Sequence, residues 1–412
     1  MSANAPADDV VTMSTSDTTT CASTASGKAK CWGANDAGQL GRGDTMPHGD
    51  DEPLTELAAI DLDGFVVDVQ TNGRQTFALI EDGRVFAWGD NGNGELGLGH
   101  TQTMGDDEPI NETEFVVDLG GAAAIQLAVG DGFACALLED GAVRCWGAND
   151  VGQLGYGHTD TIGDDETPAS SGSVSLWVGA VQITAGADHA CALLDNGHVR
   201  CWGLNDAGQL GYGHTDTIGD DERPGDRGPI PLGDDGVVEL VAGERHTCAR
   251  FETGGVRCWG ANEFGQLGYG HTDSIGDDEC PAVAGDVAIG APIVAFDAGA
   301  RHTCAISSEG GLYCWGDGLD GQLGYGTDDD IGDDESPQMA GSLDLQGHLA
   351  TSVFIGPTAS STCVRLEDGH VRCWGLNDLG QLGYADTETR GNTPSTTPGR
   401  IPDVVVADDD DD

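Results

Sequence analysis

A Trp-Gly pair followed, after four residues, by Gly-Gln-Leu-Gly or Gly-Glu-Leu-Gly recurs seven times along the 412 residues of the chain. Successive tryptophans lie 56, 58, 56, 57, 56 and 59 residues apart. A period this regular is typical of one supersecondary unit repeated end to end. We therefore predict a single domain over residues 1–407, followed by an acidic tail at 408–412. The seven tryptophans are Trp32, Trp88, Trp146, Trp202, Trp259, Trp315 and Trp374.

Each unit contains short apolar runs of strand length, shown here for the fourth copy. Residues 181–185 alternate between apolar and polar, which favours a strand, and residues 189–194 and 198–202 form two further runs. A hairpin loop of three residues commonly ends at a positive φ angle, where glycine fits without steric cost. The position at this hairpin turn is glycine in every copy: Gly27, Gly83, Gly141, Gly197, Gly254, Gly310 and Gly369.

An upstream run, residues 174–178, supplies a fourth strand in this prediction. Four short antiparallel strands per unit, repeated seven times without helical periodicity, predict an all-β fold, a seven-bladed β-propeller. The two chain ends support closure of the ring. Residues 401–407 form a strand-like run with nothing after it, and the N-terminal run at 10–13 lacks a preceding strand. We expect the C-terminal strand to pair into the first blade and so close the ring.

The repeat also resembles a known family. The signature Ala185-Gly186-x-x-His189, Trp202-Gly203-x-Asn205 and residues 208–211 (Gly-Gln-Leu-Gly) is similar to the repeat of the RCC1 (regulator of chromosome condensation) family. The resemblance covers nearly the whole chain and implies a seven-bladed propeller. Members of that family include an exchange factor for the small GTPase Ran, ubiquitin-ligase modules and secreted bacterial proteins. The long acidic insertions look most like those of bacterial RCC1-like repeat proteins.

The charge balance limits the class of partner. The chain has 71 acidic and 17 basic residues, a formal net charge of −54. Such a field repels nucleic acid and anionic membranes, and it favours cations or basic protein surfaces. It also favours a monomer in solution. No apolar run reaches the roughly 18–20 residues that a membrane helix needs, so we expect no membrane insertion. We expect a protein partner, which the sequence does not identify.

Six copies carry a cysteine pair that brackets the hairpin at constant spacing. With the turn at 195–197, the two cysteines of the fourth copy face each other across neighbouring strands, within the range that a disulfide spans. The second copy has Phe77 and Ala87 instead, so both cysteines are lost together. We predict six disulfides; reduced core cysteines are the alternative, and metal binding does not fit the spacing. The predicted pairs are Cys21 with Cys31, Cys135 with Cys145, Cys191 with Cys201, Cys248 with Cys258, Cys304 with Cys314, and Cys363 with Cys373.

Disulfides at this density indicate an oxidising compartment, so we expect an extracellular or cell-surface protein. No signal peptide is visible in residues 1–10, and a leader could have been removed from a mature chain. Cys280 has no counterpart in the other copies and lies in an acidic loop. We expect it to remain an unreactive free thiol, with an intermolecular cross-link as the alternative.

A Gly-Asp-Asp-Glu element follows six of the seven motifs. One reading is structural: the carboxylates order a long loop by accepting backbone N–H groups. The other is binding of a hard cation such as Ca²⁺ by carboxylate and carbonyl oxygens. An acidic surface adapted to high salt is a third. The eighteen acidic residues are Asp50, Asp51, Glu52, Asp106, Asp107, Glu108, Asp164, Asp165, Glu166, Asp220, Asp221, Glu222, Asp277, Asp278, Glu279, Asp333, Asp334 and Glu335.

The repeated histidines have a structural interpretation as well. His189, His246 and His302 belong to the blade signature, and we expect them to be buried and bonded to backbone. A second set in the acidic loops, which we interpret as turn residues rather than metal ligands, comprises His100, His158, His214 and His271.

Catalysis needs unlike groups that converge once, whereas a repeat places like groups at rotated positions. We find no catalytic motif and expect no catalytic residues, no enzyme activity and no cofactor other than Ca²⁺ in the alternative above. The leading hypothesis is an exported, non-catalytic protein-binding scaffold that uses a loop-rich propeller face with an acidic rim. The alternatives are a Ca²⁺-dependent surface or adhesion protein and an intracellular, exchange-factor-like regulator of a small GTPase. Residues outside the repeat pattern include Trp177, Arg223, Arg227, Phe264, His348 and Phe354.

Overall fold

A computed structural model describes residues 10–110, 113–233 and 235–406, and in this part of the chain the strands form seven antiparallel sheets of three strands. Each sheet is contiguous in sequence and forms one blade, so the predicted seven-bladed β-propeller is confirmed. The first four blades comprise β1 (Val10–Thr15), β2 (Thr19–Thr24) and β3 (Ala29–Gly33); β4 (Val66–Thr71), β5 (Gln75–Ile80) and β6 (Val85–Gly89); β7 (Ala124–Val129), β8 (Phe133–Leu138) and β9 (Val143–Gly147); and β10 (Ala180–Ala185), β11 (His189–Leu194) and β12 (Val199–Gly203).

The remaining three blades follow the same order of inner, middle and outer strand. They comprise β13 (Val237–Ala242), β14 (His246–Phe251) and β15 (Val256–Gly260); β16 (Ile293–Ala298), β17 (His302–Ser307) and β18 (Leu312–Gly316); and β19 (Ala350–Phe354), β20 (Ser361–Leu366) and β21 (Val371–Gly375). Short helices lie in the connections between blades, namely α1 (Pro168–Ser171), α2 (Pro281–Ala284), α3 (Pro337–Ala340) and two 3-10 turns at Leu54–Glu56 and Pro224–Asp226. The predicted acidic tail, residues 408–412, lies outside the described residues.

The fourth strand of each blade is shorter than the sequence predicts. In the third blade it is reduced to a backbone hydrogen bond from Val174 to Val143 of β9. Residues 174–178 therefore complete the preceding blade, not the blade that starts at β10. The first and seventh blades have the same arrangement, with bridges of Ala29 to Ile60 and of Val371 to Val404. In the second blade the pairing is longer, with a bridge of Phe86 to Val116 and a backbone hydrogen bond on either side of it.

Closure of the ring differs in one detail from the prediction. The C-terminal segment bridges to β21 of its own seventh blade through Val404, and its described residues, 401–406, show no backbone pairing with the first blade. Its side chains nevertheless pack with those of the first blade, since Val10, Trp32, Val371 and Val404 share one buried cluster. The two ends of the chain thus meet as expected, but through side-chain packing and not through a shared sheet.

The tryptophans that mark the repeat are completely buried and lie between blades. In six blades the indole Nε1 donates a hydrogen bond of 2.9–3.0 Å to the carbonyl oxygen of the glutamine in the preceding Gly-Gln-Leu-Gly turn. Trp32 donates to Gln381 of the seventh blade, and this bond joins the last blade to the first. The repeated motif is therefore the joint between neighbouring blades.

Candidate binding surfaces

The cysteine pairs occupy the register that the sequence predicts. In each of six blades the two cysteines lie directly opposite each other in the pairing of the middle strand with the outer strand. Their Cα atoms are 4.0–4.1 Å apart, and their sulfur atoms are at disulfide distance. The pairs are Cys21 with Cys31, Cys135 with Cys145, Cys191 with Cys201, Cys248 with Cys258, Cys304 with Cys314, and Cys363 with Cys373.

The second blade and Cys280 are the two departures from this pattern of cysteine pairs. Phe77 lies opposite Ala87 in the register that cysteines occupy elsewhere, so this blade has the same pairing without the sulfurs. Cys280 is half-buried and is the free cysteine of the described chain. The hairpin turns that the pairs bracket also agree with the prediction, because their seven glycines have φ angles between 79° and 88°.

The acidic loops contact the preceding blade through their backbone. A Cβ placed on Gly208 of the fourth turn would lie 2.3 Å from the backbone nitrogen of Asp277 in the next loop. The amide of Gly213 donates to the carbonyl of Gly276 at 3.0 Å, and equivalent bonds join other neighbouring blades. The backbone of the Gly-Asp-Asp-Glu elements thus packs on the adjacent blade, while the role of their carboxylates stays a prediction.

The carboxylates of these loops also crowd one another. In the clusters at 50–52, 106–108, 164–166, 220–222 and 277–279, one oxygen from each of three carboxylates lies within 4.8 Å of the others. Partial burial, followed by a hydrogen bond from the neighbouring Asp278, raises the pKa of Glu279 to about 7. Glu335 has its pKa raised to about 7 by burial and Asp334 in the same way. Three oxygens at this spacing have the chemistry of a hard-cation ligand set.

The loop histidines serve the turn, in agreement with their predicted role. In His158, Nδ1 accepts a hydrogen bond from the Asp160 amide at 3.2 Å, and the ring stacks on Tyr156 with 5.9 Å between ring centres. His214 and His271 repeat both contacts. Their acceptor nitrogens are thereby occupied by backbone.

The blade histidines are buried, but their partner differs from the expected backbone group. His189 Nε2 lies 2.9 Å from the hydroxyl of Thr247 in the next blade, and His246 and His302 make the equivalent contact. The Thr247 hydroxyl donates to a carbonyl oxygen, so it accepts from His189. Burial lowers the pKa of His246 to about 4. These imidazoles are fully buried, neutral links between blades.

The propeller channel contains polar groups that the sequence analysis did not single out. Gln126 and Gln182 each accept from and donate to the backbone of the next inner strand, at 2.9–3.0 Å. Asp297 accepts backbone N–H groups from Ala298 and Ile355, and burial raises its pKa to about 7. The cavity they line measures about 180 Å³. This is below the roughly 300 Å³ typical of small-molecule sites, so the channel is a joint between strands.

The residues outside the repeat pattern do not assemble into one site. Arg227 pairs with Glu222 at 2.6 Å, and the Arg301 guanidinium lies 5.0 Å from the ring centre of Phe264. His348 Nδ1 lies 3.3 Å from a carboxylate oxygen of Asp368. Phe354 packs against the cluster that closes the ring, whereas Trp177 is exposed. Within the described chain, no hydrogen bond or ion pair joins any of the six to another, and no helix is long and apolar enough to cross a bilayer.

Comparison with known proteins identifies the family of this propeller. The family model described as the RCC1-like domain matches residues 2–360, and the RCC1 repeat model matches residues 358–381. The chain belongs to the RCC1-like family. This assignment confirms the resemblance inferred from the Trp-Gly and Gly-Gln-Leu-Gly signature.

Among the RCC1-like relatives, the ultraviolet-B receptor UVR8 of Arabidopsis thaliana is 31% identical over 372 residues, which cover 89% of this chain and 77% of the receptor. The human E3 ubiquitin-protein ligase HERC2 is 28% identical over 366 residues, or 88% of this chain but only 7% of the ligase. Among solved structures, Prp20p of Saccharomyces cerevisiae superposes with a TM-score of 0.65 at 21% identity, covering 84% of this chain and 80% of that chain. The RCC1-like fold is thus shared by proteins with different activities.

Proposed function

We propose that the chain is an exported, non-catalytic scaffold that binds a protein partner through a loop-rich propeller face with an acidic rim. The observation that carries the proposal is the set of six cysteine pairs at disulfide distance, one across the hairpin of each of six blades. Disulfides of this density belong to oxidising compartments. They also make a rigid framework, because each one ties two strands of a blade.

Protein binding is the activity that the rest of the molecule favours. The polar residues of the channel are occupied in joining strands, and the residues outside the repeat pattern lie apart, so unlike groups do not converge in the described chain. Yeast Prp20p, which has the same fold, is described as binding Gsp1p and histones. A net charge of −54 favours a basic partner surface, by long-range attraction at low salt.

The experiment uses the oxidised full-length chain immobilised on a support. The secreted fraction of the source organism is passed over it, and bound protein is displaced with the free chain. We expect one saturable partner that the free chain competes away, and weaker retention when the salt is raised. Retention that the free chain does not displace, or no retention, would count against a scaffold.

A second function, Ca²⁺-dependent surface attachment, is favoured by the clustered oxygens of the acidic loops. Burial is the main reason that the pKa values of Glu279 and Glu335 are raised, and a bound cation would offset the added repulsion of the neighbouring carboxylates. The test compares thermal unfolding in chelator with unfolding in excess Ca²⁺. A higher midpoint in Ca²⁺ would support this function, and equal midpoints would exclude it. An intracellular GTPase regulator needs reduced cysteines, which the close pairing of the sulfurs disfavours.

A further inference from the structure

One face of the propeller carries the hairpin turns between middle and outer strands, together with the first residues of the inner strands. We call it the tip face. The two features are adjacent because, in four blades, the amide that begins the inner strand bonds to the hairpin glycine of the preceding blade. Examples are Ala124 to Gly83 at 3.0 Å and Ala180 to Gly141 at 2.8 Å. The acidic loops, in contrast, follow the opposite ends of the outer strands.

An irregularity at the start of each inner strand exposes apolar side chains on the tip face. The pairing register shifts between the first and third residues of the strand, as between Ala180 and Gln182, so the second residue has no partner across the sheet. Six copies place a β-branched aliphatic residue there, with exposed fractions of 37–55%. The seventh has Thr351. The six residues, which we call the mouth ring because they lie at the tip-face ends of the inner strands, are Val11, Val67, Ile125, Val181, Val238 and Val294.

Trp177 adds a larger apolar surface to the same face. It precedes β10, has a φ angle of 64°, and is 73% exposed. The equivalent positions in three other copies are glycines with positive φ, namely Gly120, Gly233 and Gly290. A left-handed conformation costs a residue with a side chain roughly 1–2 kcal/mol. The fold therefore retains a tryptophan where glycine is the less strained choice.

The loop next to Trp177 has a glycine, Gly225, where the corresponding loops have a larger residue, and the indole packs against it. A Cβ on Gly225 would lie 2.1 Å from Cδ1 of Trp177, so only glycine leaves room for the ring. The corresponding residues in the other copies are Ala169, Ala282 and Gln338. One edge of the indole is thus held in place, while most of its surface stays in water. An exposed aromatic side chain that is already positioned loses little conformational entropy when a partner binds.

Of the fourteen large hydrophobic residues that are exposed in the described chain, nine lie on the tip face. They are the six of the mouth ring together with Phe65, Trp177 and Leu349. Phe65 and Leu349 lie against the hairpin glycines Gly27 and Gly310. Apolar side chains gathered on one face of a charged protein indicate an interaction surface.

The charges around this surface specify the chemistry of the partner. The seven hairpin turns carry nine exposed carboxylates, against Lys28 and Arg84, and Arg84 pairs with Asp63 and Asp82 at 3.2 and 2.8 Å. A second copy of the chain would bring together two acidic faces, which electrostatic repulsion opposes. The nine residues are Glu81, Asp82, Glu139, Asp140, Asp195, Glu252, Glu309, Glu367 and Asp368.

We propose that the tip face is the docking surface of the scaffold, and that its partner is a basic protein segment whose apolar side chains cover the mouth ring and Trp177. This proposal rests on the proposed function and assigns it a face and a partner chemistry. The apolar contacts supply the short-range affinity, while the carboxylates accelerate encounter and select a basic sequence.

The test uses a fluorescent peptide of Leu-Lys-Lys repeats as the probe, and a Ser-Lys-Lys peptide of the same length and charge as its comparison. Binding to the oxidised full-length chain is measured by fluorescence anisotropy at physiological ionic strength. We expect the leucine peptide to bind about tenfold more tightly. Equal affinities for the two peptides would overturn an apolar docking surface.

Two matched pairs of variants locate the contact. The triple variant Ile125→Thr, Val181→Thr and Val294→Thr keeps side chains that the seventh copy tolerates, and it should weaken the leucine peptide about fivefold or more. The control, Met46→Ser with Leu319→Ser, changes residues that are 63% and 68% exposed beyond the ends of β3 and β18, on the side of the acidic loops, and should leave the affinity unchanged. Trp177→Gly, which introduces the glycine found at this position in three other copies, should weaken the same peptide.

The second matched pair tests charge. One double variant, Glu139→Gln and Asp140→Asn, lies on the tip face. Its control, the double variant Asp164→Asn and Asp165→Asn, lies in an acidic loop. Each double variant removes two negative charges, and only the first should weaken both peptides. Equal effects from the two members of either pair would overturn the assignment to the tip face. A scaffold that binds its natural partner normally in all these variants would keep the proposed function but lose this inference.

Discussion

Six of the seven buried indoles at the blade joints are held by a hydrogen bond from Nε1, their one polar atom. Trp202 Nε1 donates to the Gln153 carbonyl oxygen at 2.9 Å, and five other blades repeat this bond. The exception is Trp146, whose buried Nε1 has no hydrogen-bond partner. It follows the copy in which glutamate replaces the glutamine of the turn, at Glu95. Trp146 therefore lacks the hydrogen bond of Trp202, and it has instead an edge contact with the Phe77 ring, with 6.0 Å between ring centres.

Replacing Trp202 with phenylalanine should destabilise the protein more than the same change at Trp146. Both variants lose similar apolar surface, but only Trp202→Phe leaves a buried carbonyl without its donor, a difference of about 1 kcal/mol. Urea unfolding of the two variants measures it. Equal losses would show that the indole hydrogen bond does not contribute to the blade joint.

The blade histidines predict a pH dependence. The pKa of His246 is lowered to about 4 by burial, below the value near 6.5 of an unfolded chain. The unfolded state therefore binds more protons as the pH falls through 6.5, so stability is lost toward acid. Between about pH 7 and pH 5 one such histidine accounts for about 2 kcal/mol of that loss.

The variant His246→Phe tests this, since the third copy already has Phe133 at the equivalent position. It should lose about 2 kcal/mol less than the unmodified chain between about pH 7 and pH 5. The measurement is urea unfolding at both pH values. Identical pH dependence in the two proteins would contradict a neutral, buried His246.

At the scale of the element, the turn after each outer strand is built around the approach of the next acidic loop. Gly208 and Gly197 have φ angles of 80° and 79°, so both are strained by any side chain. A Cβ on Gly197 would have open space, whereas one on Gly208 would meet the Asp277 backbone. A substitution at Gly197 therefore measures the cost of the backbone conformation alone. A substitution at Gly208 adds the cost of disturbing the contact between blades.

Gly197→Ala should cost about 1–2 kcal/mol through its backbone angle alone. Gly208→Ala should cost a further ~1–3 kcal/mol because the next loop must move. Thermal or urea unfolding compares the two variants. If both lose the same stability, the acidic loop does not pack on the turn as described.

Three strands of each blade and their register followed from the sequence at this scale, but the predicted fourth strand did not form as a strand. The period-two pattern of β10 and the cysteine spacing identify strands and pairing directly. Residues 174–178 carry an equally apolar pattern, yet only Val174 bonds to the blade, and it bonds to the preceding one. A short apolar run indicates burial, and the neighbour that buries it is decided by tertiary packing.

At the scale of the whole molecule, the repeat predicts the number of blades because each Trp-Gly motif marks one joint between neighbours. The bond from Trp32 to Gln381 shows that the first and last blades use the same joint. The docking surface could not be read from the sequence in the same way. The exposure of Val181 and its equivalents depends on a register shift that leaves no sequence signal beyond an unremarkable valine.

Trp177 was visible as a departure from the repeat, but its meaning needed the structure. The sequence does not show that the position demands a positive φ, or that Gly225 changes with it to admit the indole. The acidic loops raise the opposite difficulty. Their charge is evident in the sequence, while the backbone contacts that give them a structural role appear only in the fold.

We propose that this RCC1-like propeller is oxidised and works outside the cytosol. Counting free thiols tests it most directly, by alkylating the denatured, unreduced protein and measuring its mass. The chain has 13 cysteines. We predict one labelled thiol, Cys280, with the other twelve protected as six disulfides. Thirteen labelled thiols in protein prepared without reductant and allowed to oxidise would contradict the claim and favour an intracellular adaptor.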